Sequence, residues 1–99
     1  MAKVILQITY EIDPEQREEY LKLAGEMKQH FRETKKKDYS LYELKGKKNS
    51  FVEQYVCGSM EEYEALEDDL DEKSEDLVNR LDSFLKEGKA RYTTLVENA

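Results

Sequence analysis

An α+β fold, with a four-stranded antiparallel sheet and two helices laid against one face, is predicted by three observations. Short segments near the start, middle and end of the chain alternate apolar and polar residues at a period of two. Two longer segments between them return an apolar residue every third or fourth position. Each junction carries its own start or stop chemistry, so the order strand, helix, strand, strand, helix, strand is legible within 99 residues. That length allows one domain, residues 1–99.

The first strand is the clearest element. Val4, Leu6, Ile8, Tyr10 and Ile12 alternate with Gln7, Thr9 and Glu11, which gives one strongly apolar face. Asp13-Pro14-Glu15-Gln16 then opens a helix: Asp13 caps, Pro14 stands where a missing N–H costs nothing, and Gln16 is placed to reach back. Tyr20, Leu23, Ala24, Met27 and Phe31 form its buried stripe, and Lys35, Lys36 and Lys37 close it with the charge that suits a helix C-terminus. Strands follow over residues 39–45 and 50–57, joined by the hairpin loop Gly46-Lys47-Lys48-Asn49. Gly58-Ser59 breaks the third strand, and Ser59 with Glu62 makes a capping box for the second helix. Its apolar side reads Tyr63, Leu66, Leu70, Leu77, Val78, Leu81, Phe84 and Leu85, with a break expected between residues 68 and 74. Gly88 is expected to cap its end, and residues 91–97 form the last strand.

This β-α-β-β-α-β order predicts a ferredoxin-like sandwich with both helices on one side. The far face of such a sheet should be polar if it meets water, yet here both faces carry large apolar residues. A second copy of the chain is the expected cover, giving a homodimer packed sheet to sheet. The even positions of the first strand suit the helices, leaving Ile5, Gln7 and Thr9 toward the dimer interior. A lone carboxylate beneath the helices would be costly. Phe51, Glu53, Tyr55 and Cys57 are therefore assigned to the dimer interior as well, and Val52, Gln54 and Val56 to the helix side.

A net charge of -7 argues against nucleic acid as a partner, because phosphate contacts need a basic footprint. No apolar run approaches membrane-spanning length and no secretory h-region opens the chain, so a cytoplasmic protein without a membrane partner is expected. The single Cys57 excludes an intramolecular disulfide.

Gln7, Thr9, Glu53 and Tyr55 are the candidate ligand-binding residues. In that reading Tyr55 packs a flat ligand, Glu53 anchors or polarises it, and burial would raise the Glu53 pKa enough for it to act as a base. The alternative is that Glu53 pairs with a basic residue across the dimer seam, Arg91 being one option, and only fixes the interface. His30 reads as a boundary histidine with one ring edge wet, and Cys57 as a small buried hydrophobe. The acidic stretch from Glu61 to Asp76 lacks the alternating ligands and central glycine of a calcium loop, so it reads as a solvated helix face near Lys35–Lys37. No metal site is expected.

Four stretches together resemble the dimeric α/β-barrel superfamily, and within it the small proteins similar to antibiotic-biosynthesis monooxygenases (ABM-like). They are the opening strand Val4–Ile12, Phe51-Val52-Glu53-Gln54-Tyr55, the helix start Ser59-Met60-Glu61-Glu62-Tyr63-Glu64-Ala65-Leu66, and the closing Tyr92-Thr93-Thr94-Leu95-Val96-Glu97. The resemblance covers essentially the whole chain and implies two sheets packed about a cavity in each protomer. Members of the superfamily include cofactor-independent oxygenases of aromatic polyketides, haem degraders, and proteins that only sense or bind. This chain has no histidine on its second helix and no tryptophan, which departs from the haem-degrading pattern. The expectation is a small homodimeric ligand-binding protein without a cofactor, monooxygenase-like or isomerase-like, acting on an aromatic or quinone-like molecule. A non-catalytic homodimeric structural or regulatory module is the alternative.

Overall fold

The first strand, β1 (Val4–Ile12), is one of the two inner strands of the sheet in the computed structural model, which describes residues 2–68 and 70–98. Its even positions face the helices as expected, with Val4, Tyr10 and Ile12 buried. A single 3-10 turn, Pro14–Gln16, follows; the Asp13 carboxylate caps it by accepting from the Glu15 N–H at 3.0 Å. Helix α1 (Arg17–Lys28) buries Tyr20, Leu23, Ala24 and Met27 against the sheet. Each such large side chain taken fully out of water contributes roughly 1.5–3 kcal/mol before the entropy of ordering it is subtracted.

The helix then widens into a π-helical turn, Gln29–Thr34, where the Lys35 N–H donates to the His30 carbonyl at 2.9 Å. Lys36 takes a left-handed conformation, φ 56°, and the chain turns into β2 (Asp38–Glu43). A hairpin with Gly46 at φ 82° and Asn49 at φ 70° leads to β3 (Ser50–Cys57). Ser59 and Glu62 form the expected capping box: the Glu62 N–H donates to Ser59 Oγ and the Gly58 N–H to Glu62 Oε2. The second helical segment is divided, α2 (Met60–Asp68) and α3 (Glu72–Asp82), within the expected break. Asp69 in that break lies outside the described residues. Asp71 restarts the helix by accepting from the Ser74 N–H at 2.8 Å.

The last strand, β4 (Leu85–Val96), begins earlier than the glycine signal implies. Gly88 does not cap a helix. With φ 65°, beside Glu87 at φ 58°, it stands in an irregular stretch of β4. Leu85 pairs with Ile12 and Ala90 with Tyr10, so β4 bulges there. A glycine in this conformation serves a bulge as well as a helix end. The sheet order is β2-β3-β1-β4, antiparallel throughout, with the helices on one face. This is the β-α-β-β-α-β arrangement of the ferredoxin-like sandwich.

The register corrects one assignment. Tyr10 pairs with Phe51, Ile8 with Glu53, Leu6 with Tyr55 and Val4 with Cys57. Side chains directly opposite share a face, so Phe51, Glu53, Tyr55 and Cys57 lie beneath the helices and not on the open side. Val52, Gln54 and Val56 occupy the open face with Ile5, Gln7 and Thr9. Arg91 pairs with Thr9 on that face and is no partner for Glu53.

Candidate functional site

A cavity of about 670 Å³ lies between the sheet and the two parts of the broken helix. Its floor is Leu6, Ile8, Tyr55, Tyr92 and Thr94; its walls are Phe31, Lys35 and Lys37 on one side and Tyr63, Glu64, Leu66, Leu70, Ser74 and Val78 on the other. Of these last, Tyr63, Leu66, Leu70 and Val78 are positions that helical periodicity assigns to a buried stripe. Leu77 and Leu81 are buried on the sheet as that stripe requires, whereas Leu70 and Val78 remain exposed at the cavity. The break before α3 separates α2 from it, and the Tyr63 hydroxyl sits 2.9 Å from Thr94 Oγ1 where α2 meets β4. Tyr92 is 67% exposed.

The four expected ligand residues are divided by the sheet. Tyr55 lines the cavity. Gln7 and Thr9 point to the opposite face, where Gln7 Nε2 donates to Gln54 Oε1 at 3.0 Å. Glu53 is 3% exposed and is not among the residues that line the cavity; it accepts a 2.6 Å hydrogen bond from the Tyr39 hydroxyl. Tyr10 and Tyr20 extend this buried polar group, their hydroxyls 2.7 Å apart. Burial raises the Glu53 pKa, and the hydroxyls of Tyr39 and Tyr10 only partly offset it. Burial likewise raises the phenols of Tyr10, Tyr39 and Tyr55, with the Glu53 charge adding to each. Glu53 is thus the acidic centre of a tyrosine cluster behind the cavity floor. Its cross-strand neighbour Ile8 lies between β3 and the cavity-lining Tyr92 of β4.

His30 is buried at 7% exposure, not half wet, and it has partners. Its Nε2 lies 3.0 Å from Ser74 Oγ and 3.3 Å from Asp71 Oδ1. Both meet the same ring nitrogen, whereas a nucleophile–base–carboxylate relay uses opposite nitrogens. The cluster latches the π-turn to the start of α3. The Asp71 carboxyl is held well below the usual range, chiefly by the Ser74 hydroxyl and N–H, with His30 and Lys35 adding. Lys35 Nζ reaches Asp71 at 3.5 Å, the contact expected between the lysine run and the acidic helix. The Cys57 thiol is buried and pushed up by that burial, the opposite of an activated nucleophile. Among the described residues no group of three or more His, Cys, Asp or Glu side chains is placed to hold a metal ion. No helix among them is long and apolar enough to cross a membrane.

The sequence singled out only Tyr55 among the cavity residues. Phe31, Tyr63, Leu66, Leu70 and Val78 carried the signal of a core stripe, and nothing in helical periodicity separates a wall around empty space from a wall against a sheet.

No family model and no curated protein matches the chain. Solved structures do. It is similar to a conserved protein from Methanosarcina mazei Go1, with TM-score 0.83 and 10% identity over 99% of this chain and 95% of that one. It is similar to an uncharacterized NIPSNAP domain protein from Burkholderia xenovorans, with TM-score 0.75 and 18% identity over 97% and 95%. The cofactor-independent oxygenase SnoaB from Streptomyces nogalater superposes with TM-score 0.72 and 11% identity over 94% and 90%. An antibiotic biosynthesis monooxygenase does so with TM-score 0.69 and 20% identity over 100% and 98%. Identities this low speak for the fold alone. The chain has the ABM-like, ferredoxin-like protomer fold that these antibiotic biosynthesis monooxygenases and NIPSNAP proteins share.

Proposed function

We propose that this protein is a homodimer that binds a flat aromatic or quinone-like small molecule in the cavity of each protomer. The carrying observation is the cavity itself: about 670 Å³ with Tyr55, Tyr63 and Tyr92 and the aliphatic Leu6, Ile8 and Val78 on its surface. This is the size and lining of small-molecule sites, with aromatic rings able to stack on a planar ligand. The dimer is supported by the open sheet face, where Ile5, Val56 and Leu95 form one cross-strand row and Tyr42 and Leu95 are exposed. Gln7 and Thr9 belong to that interface in this reading, and Tyr55 to the ligand.

Binding ranks ahead of turnover. Glu53 is tied to Tyr39 in the core, so the one carboxylate considered as a general base does not line the site. That placement favours the non-catalytic form of the reading over a monooxygenase-like or isomerase-like one.

Calorimetric titration with 1-naphthol, a neutral hydroxylated aromatic, tests the pocket. Saturable binding at one site per protomer is expected, and Val78→Trp, which fills the cavity from an exposed position on α3, should abolish it. Heat that is unchanged by the filling substitution would place binding elsewhere and overturn the reading.

A further inference from the structure

Resting on the pocket just proposed, we infer that Tyr63 and Thr94 act together as one hydrogen-bond donor to a carbonyl oxygen at the end of the ligand, a planar aromatic ketone or quinone. Both residues line the cavity, Tyr63 from α2 and Thr94 from β4, and their hydroxyl oxygens stand 2.9 Å apart. A hydroxyl carries one O–H and two acceptor lone pairs. Whichever of the two donates to the other, one O–H is left over, so the pair always keeps a single donor to offer. That O–H belongs to the oxygen that is already accepting, which polarises it into a better donor than an isolated hydroxyl. Neither oxygen hydrogen-bonds a further described residue. The Ser74 hydroxyl differs: it also lines the cavity, but His30 Nε2 and the Asp71 carboxylate already engage it.

The register of the sheet sets this donor against the aromatic lining. Leu6 pairs with Tyr55 on one side and with Thr94 on the other, so the three side chains form one row across β3, β1 and β4. With neighbouring strands about 4.8 Å apart, Thr94 lies about 10 Å along the cavity floor from Tyr55. Tyr92 precedes Thr94 by two residues and shares its face of β4. A flat ring system laid over Leu6, with Tyr55 at one end and Tyr92 beside it, therefore brings its other end to the hydroxyl pair. An oxygen there that only accepts, a ketone or ring carbonyl, complements a pair with one O–H left to give. A hydrocarbon end would displace water from the pair and leave that O–H unmatched.

Two probes of one shape isolate the oxygen: 2-acetylnaphthalene and 2-isopropenylnaphthalene, which has C=CH2 in place of C=O, titrated against the full chain. The infrared carbonyl band of bound 2-acetylnaphthalene should stand below its position in cyclohexane, as a donated hydrogen bond requires. Either hydroxyl alone still donates, so Tyr63→Phe and Thr94→Val should each keep a smaller shift, and Tyr63→Phe/Thr94→Val should lose it. The double substitution should also weaken the ketone roughly two- to tenfold, the net worth of one hydrogen bond, and leave the hydrocarbon unchanged. A native band at the cyclohexane position overturns the inference and leaves the pocket standing, and so does a shift that survives the double substitution. Equal weakening of both probes would mean that the two hydroxyls only hold α2 to β4, and overturns it too. Failure of both probes to bind the native protein overturns the pocket and the inference together.

Discussion

Glu53 shows how a buried carboxyl is tolerated at the scale of a single residue. It sits among aromatic rings with the Tyr39 hydroxyl donating to it, and burial raises its pKa above the ordinary carboxylate value of 4.5. The sign follows directly. The folded chain holds this proton where the unfolded chain has released it, so the stabilisation is complete below about pH 4.5 and is lost as pH climbs through the raised value. Glu53→Gln keeps the shape and an acceptor oxygen for Tyr39 but has no charge to bury. Thermal melts across pH should therefore show the native protein losing stability relative to this variant as pH rises, with the two alike in acid. A native curve parallel to that of Glu53→Gln would mean that Glu53 does not titrate in the folded state. Tyr20→Phe, which removes the Tyr10–Tyr20 hydroxyl contact, should cost about 0.5–1.5 kcal/mol in urea unfolding. The sequence marks Glu53 as unusual but reverses its face, because the cost of a lone carboxylate was weighed without the tyrosines that four separate elements bring to it. Gln54 was the signal pointing the other way: it suits an open face, and it is found there beside Gln7.

Among the elements, α3 carries two different faces on adjacent residues. Leu77 is fully buried against the sheet, and Val78 stands at the cavity with over a third of its surface exposed. Leu77→Ala should cost roughly 2–5 kcal/mol, as a core truncation does, and Val78→Ala about 1 kcal/mol or less, both read from urea midpoints. Equal costs would mean that the cavity closes over Val78. Elements with a strict period were legible residue by residue: β1 from its alternation, and α1 from its stripe of Tyr20, Leu23, Ala24 and Met27. The break in the second helix was legible too, from the scarcity of apolar residues. What escaped was geometry with the same signature as something commoner. Gly88 in a bulge looks like Gly88 at a helix end, since both need φ above zero. A π-turn leaves no compositional mark that an α-helix would not leave, so the place of Lys35 and Lys37 on one cavity wall was visible only in three dimensions.

For the whole molecule, the sheet's two faces differ in what covers them. The helix-covered face holds the core and the cavity; the other presents the row Ile5, Val56 and Leu95 across three strands. Val56→Arg, at the β3 end of that row, should turn the proposed dimer into a monomer in sedimentation without altering its helix content, and a native protein that already sediments as a monomer would refute the dimer. The strand order has a different kind of consequence. Of the four strands of this sheet, the inner strand β1 comes first in sequence, and one of its two neighbours, β4, comes last. Until translation reaches residue 85, one side of β1 has no hydrogen-bonding partner, and closing the sheet requires joining segments about eighty residues apart in sequence. Until β4 is made, β1 therefore presents an open, apolar strand edge, the state in which β-rich chains aggregate or engage chaperones. The same strand that completes the sheet supplies Tyr92 and Thr94 to the cavity, so a truncation before residue 85 would remove one side of β1's pairing and part of the cavity floor in one step.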